Sequence, residues 1–341
     1  MKKIVLFILF SLLCVSVDGA SLEFAFQLGE KQSPRLDRLL PDVARYMAFN
    51  KDSTKLIAKG MDGTLVEWDI HSRQKREVGD IHAKRLFVYA AGTNQLLIQK
   101  EYDVTILNLG GGDETQVIKG QYESGSLSAD STLVVLSKGD KEFEFWQLAQ
   151  ESPKSVKTFL TTLPIRNGLT LSNDGKYIAA AEGTYRDGVG HRTIVEIWDA
   201  NNEKQPMRVF NTGEILGVWN LVFSDGGTML AVDTQLNAKS GICVWNIKTG
   251  AQLLNKSGFE AYWTRALAFA PNENSNSTEY LASGDEKGNL RVWKIPGGES
   301  IIWETYPTGI QALAFSPNGK YLAVALWDTT IQILRWKKDG K

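Results

Sequence analysis

Apolar residues along this chain fall at alternate positions over short runs, and turn-forming residues break the runs at steady intervals. Residues 311–334, QALAFSPNGKYLAVALWDTTIQIL, show the form: an apolar run, a Ser-Pro-Asn-Gly turn, a second run, an Asp-Thr pair and a third run. Residues 46–70, YMAFNKDSTKLIAKGMDGTLVEWDI, repeat it near the other end of the chain. A period of two puts successive side chains on opposite faces of a strand, so each run reads as a strand and each neighbouring pair as a hairpin. No segment carries a sustained helical period, which predicts an all-β fold.

The rhythm occurs seven times. An aromatic residue or Leu, followed by a mostly polar residue, recurs at Trp68, Leu107, Trp146, Trp198, Trp245, Trp293 and Leu334, at spacings of 39, 39, 52, 47, 48 and 41 residues. One residue before the anchor stand Ile106, Phe145, Ile197, Val244, Val292 and Ile333, and three before stand Leu65, Val104, Phe143, Val195, Ile242, Leu290 and Ile331. Facing the other way between them are Thr105, Glu144, Glu196, Cys243, Arg291 and Gln332, while Glu67 breaks the pattern in the first copy. Upstream comes a second strand (KLIAK, QLLIQ, LVVLS, YIAAA, MLAVD, YLASG, YLAVA), then a turn such as SADS, SNDG or SPNG, whose Asp, Asn and Gly supply side-chain-to-backbone bonds or positive φ. A further strand precedes the turn in six copies (YMAF, LFVY, LTLS, NLVF, ALAF, ALAF), and a fourth follows the anchor in six (KREV, TQVI, KTFL, MRVF, QLLN, SIIW). The repeating unit is therefore a four-strand meander.

The copies AFSPNGKYLAVALWDTTIQIL and AFNKDSTKLIAKGMDGTLVEWDI resemble WD40 repeats, and the resemblance extends over essentially the whole chain after the first twenty residues. It implies a seven-bladed β-propeller, in which four-stranded sheets that cannot bury both faces alone stack around a channel. The seventh copy has no fourth strand of its own, because only RWKKDGK follows Leu334, whereas LEFAFQL (22–28) is a strand without a repeat. Pairing the two completes the ring and hides two open edges; WD40 proteins close in this way. The sequence departs from the family in its polar positions. An Asp six residues before the anchor occurs only as Asp62, Asp140 and Asp328, and the Gly-His that opens a repeat is missing, His82 lying merely near the place. The family's buried Trp-Ser/Thr-His-Asp network is thus incomplete in every copy.

Composition adds two constraints. With 341 residues, 43% of them apolar, the chain is long enough for a large single β domain, and a net charge of −1 with pI near 6.4 gives no global field to attract nucleic acid or anionic lipid. The start, MKKIVLFILFSLLCVSVDGA, has a basic Lys2-Lys3, a 14-residue apolar run from Ile4 to Val17 and small residues ending at Ala20. That is the layout of a cleaved signal peptide of bacterial type, too short for the roughly 20 residues that span a bilayer. Leu13, before Cys14, is not the small residue that lipid attachment requires. Residues 1–20 are thus expected as signal peptide, 21–341 as propeller, and the mature chain as periplasmic or secreted. It would keep one cysteine, Cys243, in the strand-like GICVWNI, so no internal disulfide is expected.

Catalytic and metal signatures are sparse. The three histidines (His71, His82, His191) lie in different repeats, each without a second imidazole or thiol at ligand spacing. LGGGDET (109–115) precedes no helix, and no Gly-x-Ser-x-Gly elbow occurs. In an up-and-down meander, the links into the first strand and between the second and third open at one end of the ring. They collect Tyr46, Tyr102, Tyr185, Arg186, His191, Trp219, Tyr262, Trp263, Arg265 and Trp327. Trp, Tyr and Arg dominate binding hot spots, although such aromatics also serve as packing between blades. Two of these links are enlarged, EGTYRDGVGHRT (182–193) and DTQLNAKSG (233–241), whereas the polar PNENSNSTEY (271–280) lies at the opposite end.

These features give a non-catalytic protein-binding propeller, with partner-binding residues Tyr185, Arg186, Trp219, Tyr262, Trp263, Arg265 and Trp327. A monomer is expected, with no cofactor or metal, no nucleic acid and no stable membrane insertion. The competing expectation is a glycan- or small-molecule-binding propeller, such as a lactonase-type hydrolase working in the central channel. Export predicts a defined product: N-terminal sequencing of the exported protein begins at Ser21, and a product retaining Met1 or starting at an acylated Cys14 contradicts the signal-peptide assignment.

Overall fold

The structure is a computed structural model of the full chain. It describes all residues except 1–14, 18–19, 32–43, 45, 61–62, 79–86, 91, 101–102, 110–113, 149–151, 187–189, 213–217, 219, 237–238, 260, 262, 273–278 and 339–341. Most of the expected signal peptide therefore lies outside the described residues.

Among the described residues every regular element is a strand, and the strands form seven antiparallel sheets. In chain order each blade runs from an inner strand a to an outer strand d. Blade 1 comprises Tyr46–Phe49, Lys55–Lys59, Leu65–Asp69 and Lys75–Glu77, and blade 2 comprises Phe87–Ala90, Gln95–Lys100, Asp103–Asn108 and Glu114–Ile118. Blade 3 holds Gly125–Leu127, Leu133–Lys138, Glu142–Leu148 and Pro153–Leu160; blade 4 holds Ile165–Leu171, Tyr177–Arg186, Gly190–Asp199 and Arg208–Asn211. Blade 5 is built of Leu221–Phe223, Met229–Leu236, Lys239–Asn246 and Gln252–Phe259, and blade 6 of Thr264–Phe269, Glu279–Asp285, Asn289–Ile295 and Ser300–Thr305. Blade 7 takes Ile310–Phe315, Tyr321–Leu326 and Ile331–Lys337 from the end of the chain, and Ala20–Leu28 from its beginning as strand d. The inner strand of blade 7 packs against the inner strands of both blade 6 and blade 1, so the seven sheets close into a β-propeller.

Burial follows from stacking. Inner strands are covered on both faces by neighbouring blades, and Glu279–Asp285 and Ile310–Phe315 are buried at every position. Outer strands meet solvent, and Lys75–Glu77 is exposed throughout. The anchor tryptophans are the joints between blades. Trp198 meets Phe159 of blade 3 edge-on at 5.5 Å, Trp245 stacks on Phe210 of blade 4 at 4.8 Å, and Trp293 stacks on Phe259 of blade 5 at 5.7 Å. In each case the partner is a Phe on strand d of the preceding blade. Such pairs contribute about 0.5–1.5 kcal/mol beyond area burial. Trp68 of blade 1 and Phe26 of the closing strand share one apolar cluster, which carries the relation across the closure.

The Ser-x-Asp/Asn-Gly turns between strands a and b owe their recurrence to one device. Ser316 Oγ bonds Asn318 Oδ1 (2.8 Å) and accepts the Tyr321 N–H (2.9 Å); Ser172 does the same with Asp174 (2.7 Å) and Tyr177 (3.0 Å). The fourth turn residue has positive φ, as Gly175 (71°) and Gly319 (65°) allow without strain, while Ser53 and Ser131 take the same conformation at 58° and 56°.

Closure pairs Ser21↔Lys337, Leu22↔Trp336, Phe24↔Leu334, Phe26↔Ile333 and Leu28↔Ile331, with a bulge between Phe24 and Phe26. The strand thus runs slightly longer than the expected 22–28. Val15–Val17 pairs back onto its start, Val15 opposite Leu22, and Ala20 and Leu22 are buried in the cluster that holds Ile301, Ile302 and Trp336. Cleavage after Ala20 would remove that small flap and leave the ladder onto the last strand intact. Two differences from the sequence expectation stand out. Blade 3 has an inner strand of only three residues, Gly125–Leu127, which carries too little apolar alternation to be read from the chain. The enlarged links of blades 4 and 5 are continued ladders, with pairing out to Arg186↔Gly190 and Leu236↔Lys239.

Candidate partner-binding face

Strand direction sets which residues share an end of the ring. The start of strand a, the end of strand b and the start of strand c lie together, so the b–c hairpins and the links into strand a form one face. On blade 6, Trp263 immediately precedes strand a and is half-buried. The Arg265 guanidinium lies over its ring at 4.5 Å from the centroid and reaches Glu286 at 3.8 Å. Glu286 follows strand b, and its N–H donates to the Trp263 carbonyl at 3.2 Å. Blade 7 interlocks directly alongside: a Cβ on Gly309 would come within 2.4 Å of the Glu286 carbonyl oxygen, and the Gly309 carbonyl accepts the Trp327 N–H at 2.9 Å. Trp327, also half-buried, rides on a b–c hairpin pinned by Thr329 Oγ1 donating to the Glu30 carbonyl at 2.7 Å. Trp263 and Arg265 of blade 6 and Trp327 of blade 7 are therefore linked through Glu286 and Gly309 where the two blades meet.

The remaining expected residues distribute differently. Tyr185 and Arg186 sit near the tip of the blade 4 ladder, with Tyr185 opposite His191. Trp219 and Tyr262 lie outside the described residues, as do Tyr102, His82 and Asp62. Tyr46 belongs to packing, because its hydroxyl accepts the Tyr89 N–H (3.1 Å) across the seam between blades 1 and 2. Cys243 is buried on strand c of blade 5, and burial pushes its thiol up to about 11.

Beneath this face lies a set of polar positions that the linear sequence does not reveal. The register puts the residue two before each anchor diagonal to a strand b residue on the same face: Glu144 with Lys138 in blade 3, Glu196 with Glu182 in blade 4, Arg291 with Asp285 in blade 6. In blade 3 the pair is an ion pair at 2.7 Å, and Glu144 also accepts the Tyr122 hydroxyl (2.8 Å) and Trp146 Nε1 (3.1 Å). Burial opposes ionisation of Glu144, yet the Lys138 and Tyr122 bonds hold its carboxyl below the usual range. In blade 6 the signs are exchanged. Arg291 bonds Asp285 at 3.0 Å and is sandwiched between the rings of Phe259 (4.8 Å) and Trp303 (4.6 Å). Asp285 also accepts the N–H groups of Lys287 and Asn289 (3.0 Å each), and so shapes the hairpin next to Glu286. Trp293 Nε1 donates to Ser283 Oγ at 2.9 Å, the Trp-to-Ser part of the network expected for the repeat. Among the described residues no three His, Cys, Asp or Glu side chains are placed to hold a metal ion, and no helix is long and apolar enough to cross a membrane.

A ring of seven four-stranded sheets with paired ends is a seven-bladed β-propeller, and its repeats identify the kind. Residues 301–334 match the family described as WD domain, G-beta repeat. Over 86 residues the chain is 36% identical to eukaryotic translation initiation factor 3 subunit I of Emericella nidulans, a match covering 24% of this chain and 23% of that one. Over 319 residues it is 22% identical to apoptotic protease-activating factor 1 of Rattus norvegicus, covering 85% of this chain and 23% of that one. The matched stretches thus span about a quarter of these relatives' length. Among solved structures, Kuenenia stuttgartiensis hydrazine synthase superposes with a TM-score of 0.69 at 13% identity, over 90% of this chain and 99% of that one, a likeness of fold alone. The propeller carries a repeat of the WD40 family at residues 301–334.

The blade 6 pair supports the face directly above it, which gives a stability prediction. Asp285→Ala leaves Arg291 buried without its carboxylate and lowers unfolding free energy by about 3–5 kcal/mol, whereas Arg265→Ala, at the half-exposed surface, costs under about 1 kcal/mol. Urea denaturation of the two variants checks the contrast; equal losses contradict it.

Proposed function

We propose that this propeller is a non-catalytic recognition module that acts as a monomer after export and binds a protein partner on the face carrying Trp263, Arg265 and Trp327. The observation that carries the reading is the meeting of blades 6 and 7, where the backbones of two half-buried Trp are held by hydrogen bonds and Arg265 stacks on Trp263. Preorganised Trp and Arg side chains bind without a large ordering cost and can contribute roughly 2 kcal/mol or more apiece to an interface. The blade 4 ladder, bearing Tyr185 and Arg186, extends from the same end and widens the surface on offer. A repeat of the WD40 family, with a relative named as a subunit of a larger factor, supports an interaction role over a solitary one. The basic start and short apolar run of residues 1–17 support export.

The test is capture of partners from the exported fraction by the tagged mature protein and its variants. Trp263→Ala and Trp327→Ala each reduce capture at least tenfold while moving the melting temperature by no more than a few degrees. Unchanged capture with lost stability assigns these tryptophans to blade packing, and a partner footprint on the 271–280 end places recognition on the opposite face.

A further inference from the structure

Blade 4 departs from blades 3 and 6 at the diagonal polar position. Where those blades set a cation against a carboxylate, blade 4 sets Glu182 against Glu196, and both residues are fully buried. One oxygen of each is occupied by the link that leads into strand a: Glu182 Oε2 accepts the Leu163 N–H at 2.7 Å, and Glu196 Oε1 accepts the Thr162 hydroxyl at 2.5 Å. Glu182 Oε1 and Glu196 Oε2 are buried and accept no hydrogen bond from any donor among the described residues. Two ionised carboxylates in such a place would repel at close range in a low dielectric. We propose that Glu182 keeps a proton at neutral pH, donates it to Glu196, and through that shared proton latches the 161–164 link to the root of the long blade 4 hairpin.

The surroundings agree with a shared proton. Burial, and after it the hydrogen bond to Glu196, pushes the Glu182 carboxyl up to about 9. Lys141, on the b–c hairpin of blade 3, is the cation of the neighbouring blade that acts on Glu182, and its Nζ is engaged by the Thr162 carbonyl at 3.2 Å. On strand d, Arg208 is turned away to the Lys248 carbonyl at 2.6 Å. In blade 3 the anchor Trp146 donates to Glu144, but in blade 4 Trp198 Nε1 is buried with no partner, which fits a Glu196 already engaged by Glu182. Deprotonation by hydroxide releases the proton as water and leaves two facing carboxylates. The pair then separates, and the latch on Leu163 and on the hairpin carrying Tyr185 and Arg186 opens. The latch holds whatever the propeller binds.

The sign follows from the direction of the shift. An acid held above its ordinary range in the folded state binds more protons folded than unfolded, so its stabilisation is complete below the carboxylate range and is lost as pH rises towards about 9. One such group lowers the folding equilibrium constant by up to about tenfold per pH unit in that window. The experiment compares the mature protein with Glu182→Gln, whose amide can donate to Glu196 without titrating. Between pH 6 and 9 the wild-type folding constant falls, while that of Glu182→Gln stays nearly level, so that the variant is the more stable of the two at pH 9. Carbon-13 spectra of glutamate-labelled wild-type protein provide a readout independent of the variant's folding: one carboxyl titrates near pH 9 and the Leu163 amide shifts with the same midpoint. Equal pH slopes in the two proteins, every glutamate carboxyl ionised at pH 7, or a Leu163 amide indifferent to the transition overturns the latch.

Discussion

The pairing of Ala20–Leu28 with Ile331–Lys337 is the contact on which the rest of the architecture depends. Each blade is a thin sheet whose inner strands are apolar on both faces, and no single blade can shield them. Stacking solves this for interior blades, but a row of stacked blades still has two open ends. Joining residues about 300 positions apart turns the row into a ring in which blade 7 touches blades 6 and 1 alike. The anchor aromatics follow the same logic. A Trp on strand c finds a Phe on the preceding strand d, so the ring is knit by side chains that belong to different repeats.

Rigidity at the seams has a consequence for chemistry. The b–c hairpins stand on fixed supports, and the supports are polar where blades 3, 4 and 6 set charged residues at the diagonal position. In blades 3 and 6 the buried carboxylates of Glu144 and Asp285 are each met by a cation, with bonds of 2.7 and 3.0 Å. Like charges in blade 4 have no such solution and resolve their burial by holding a proton. The same diagonal position thus fixes a hairpin in two blades and makes it sensitive to pH in a third. Buried pairs of this sort lose much of their attraction to desolvation, so their larger effect is on which arrangement the hairpin takes.

Much of the fold was legible in the sequence, because period-two alternation and the anchor residues are local signals. The seven copies, the turns and the closing strand could all be located that way. Gly125–Leu127 was missed because three residues with a glycine at the edge leave no pattern to detect. The site was less legible. Link position placed Trp263, Arg265 and Trp327 on one end, but it also gathered Tyr46, whose hydroxyl serves the seam between blades 1 and 2. Position within a link does not say whether a ring turns outward or towards the next blade. The diagonal pairs were invisible for another reason. Glu144, Glu196 and Arg291 could be seen as one set facing away from the residues one and three before each anchor, yet their partners Lys138, Glu182 and Asp285 emerge only when strand register is known. The Phe partners of the tryptophans lie in the preceding copy, beyond the reach of any pattern within a single repeat.

Hydrogen exchange on the intact protein tests the closure most directly. If the two ends truly seal the ring, the backbone amides of 22–28 that bond to the last strand, and those of 331–337, exchange as slowly as the amides of Ile310–Phe315, since all three segments are released only when the propeller opens. Rapid exchange across 22–28, with Ile310–Phe315 still protected, would mean that the first strand is a detachable cover and that the ring is held without it.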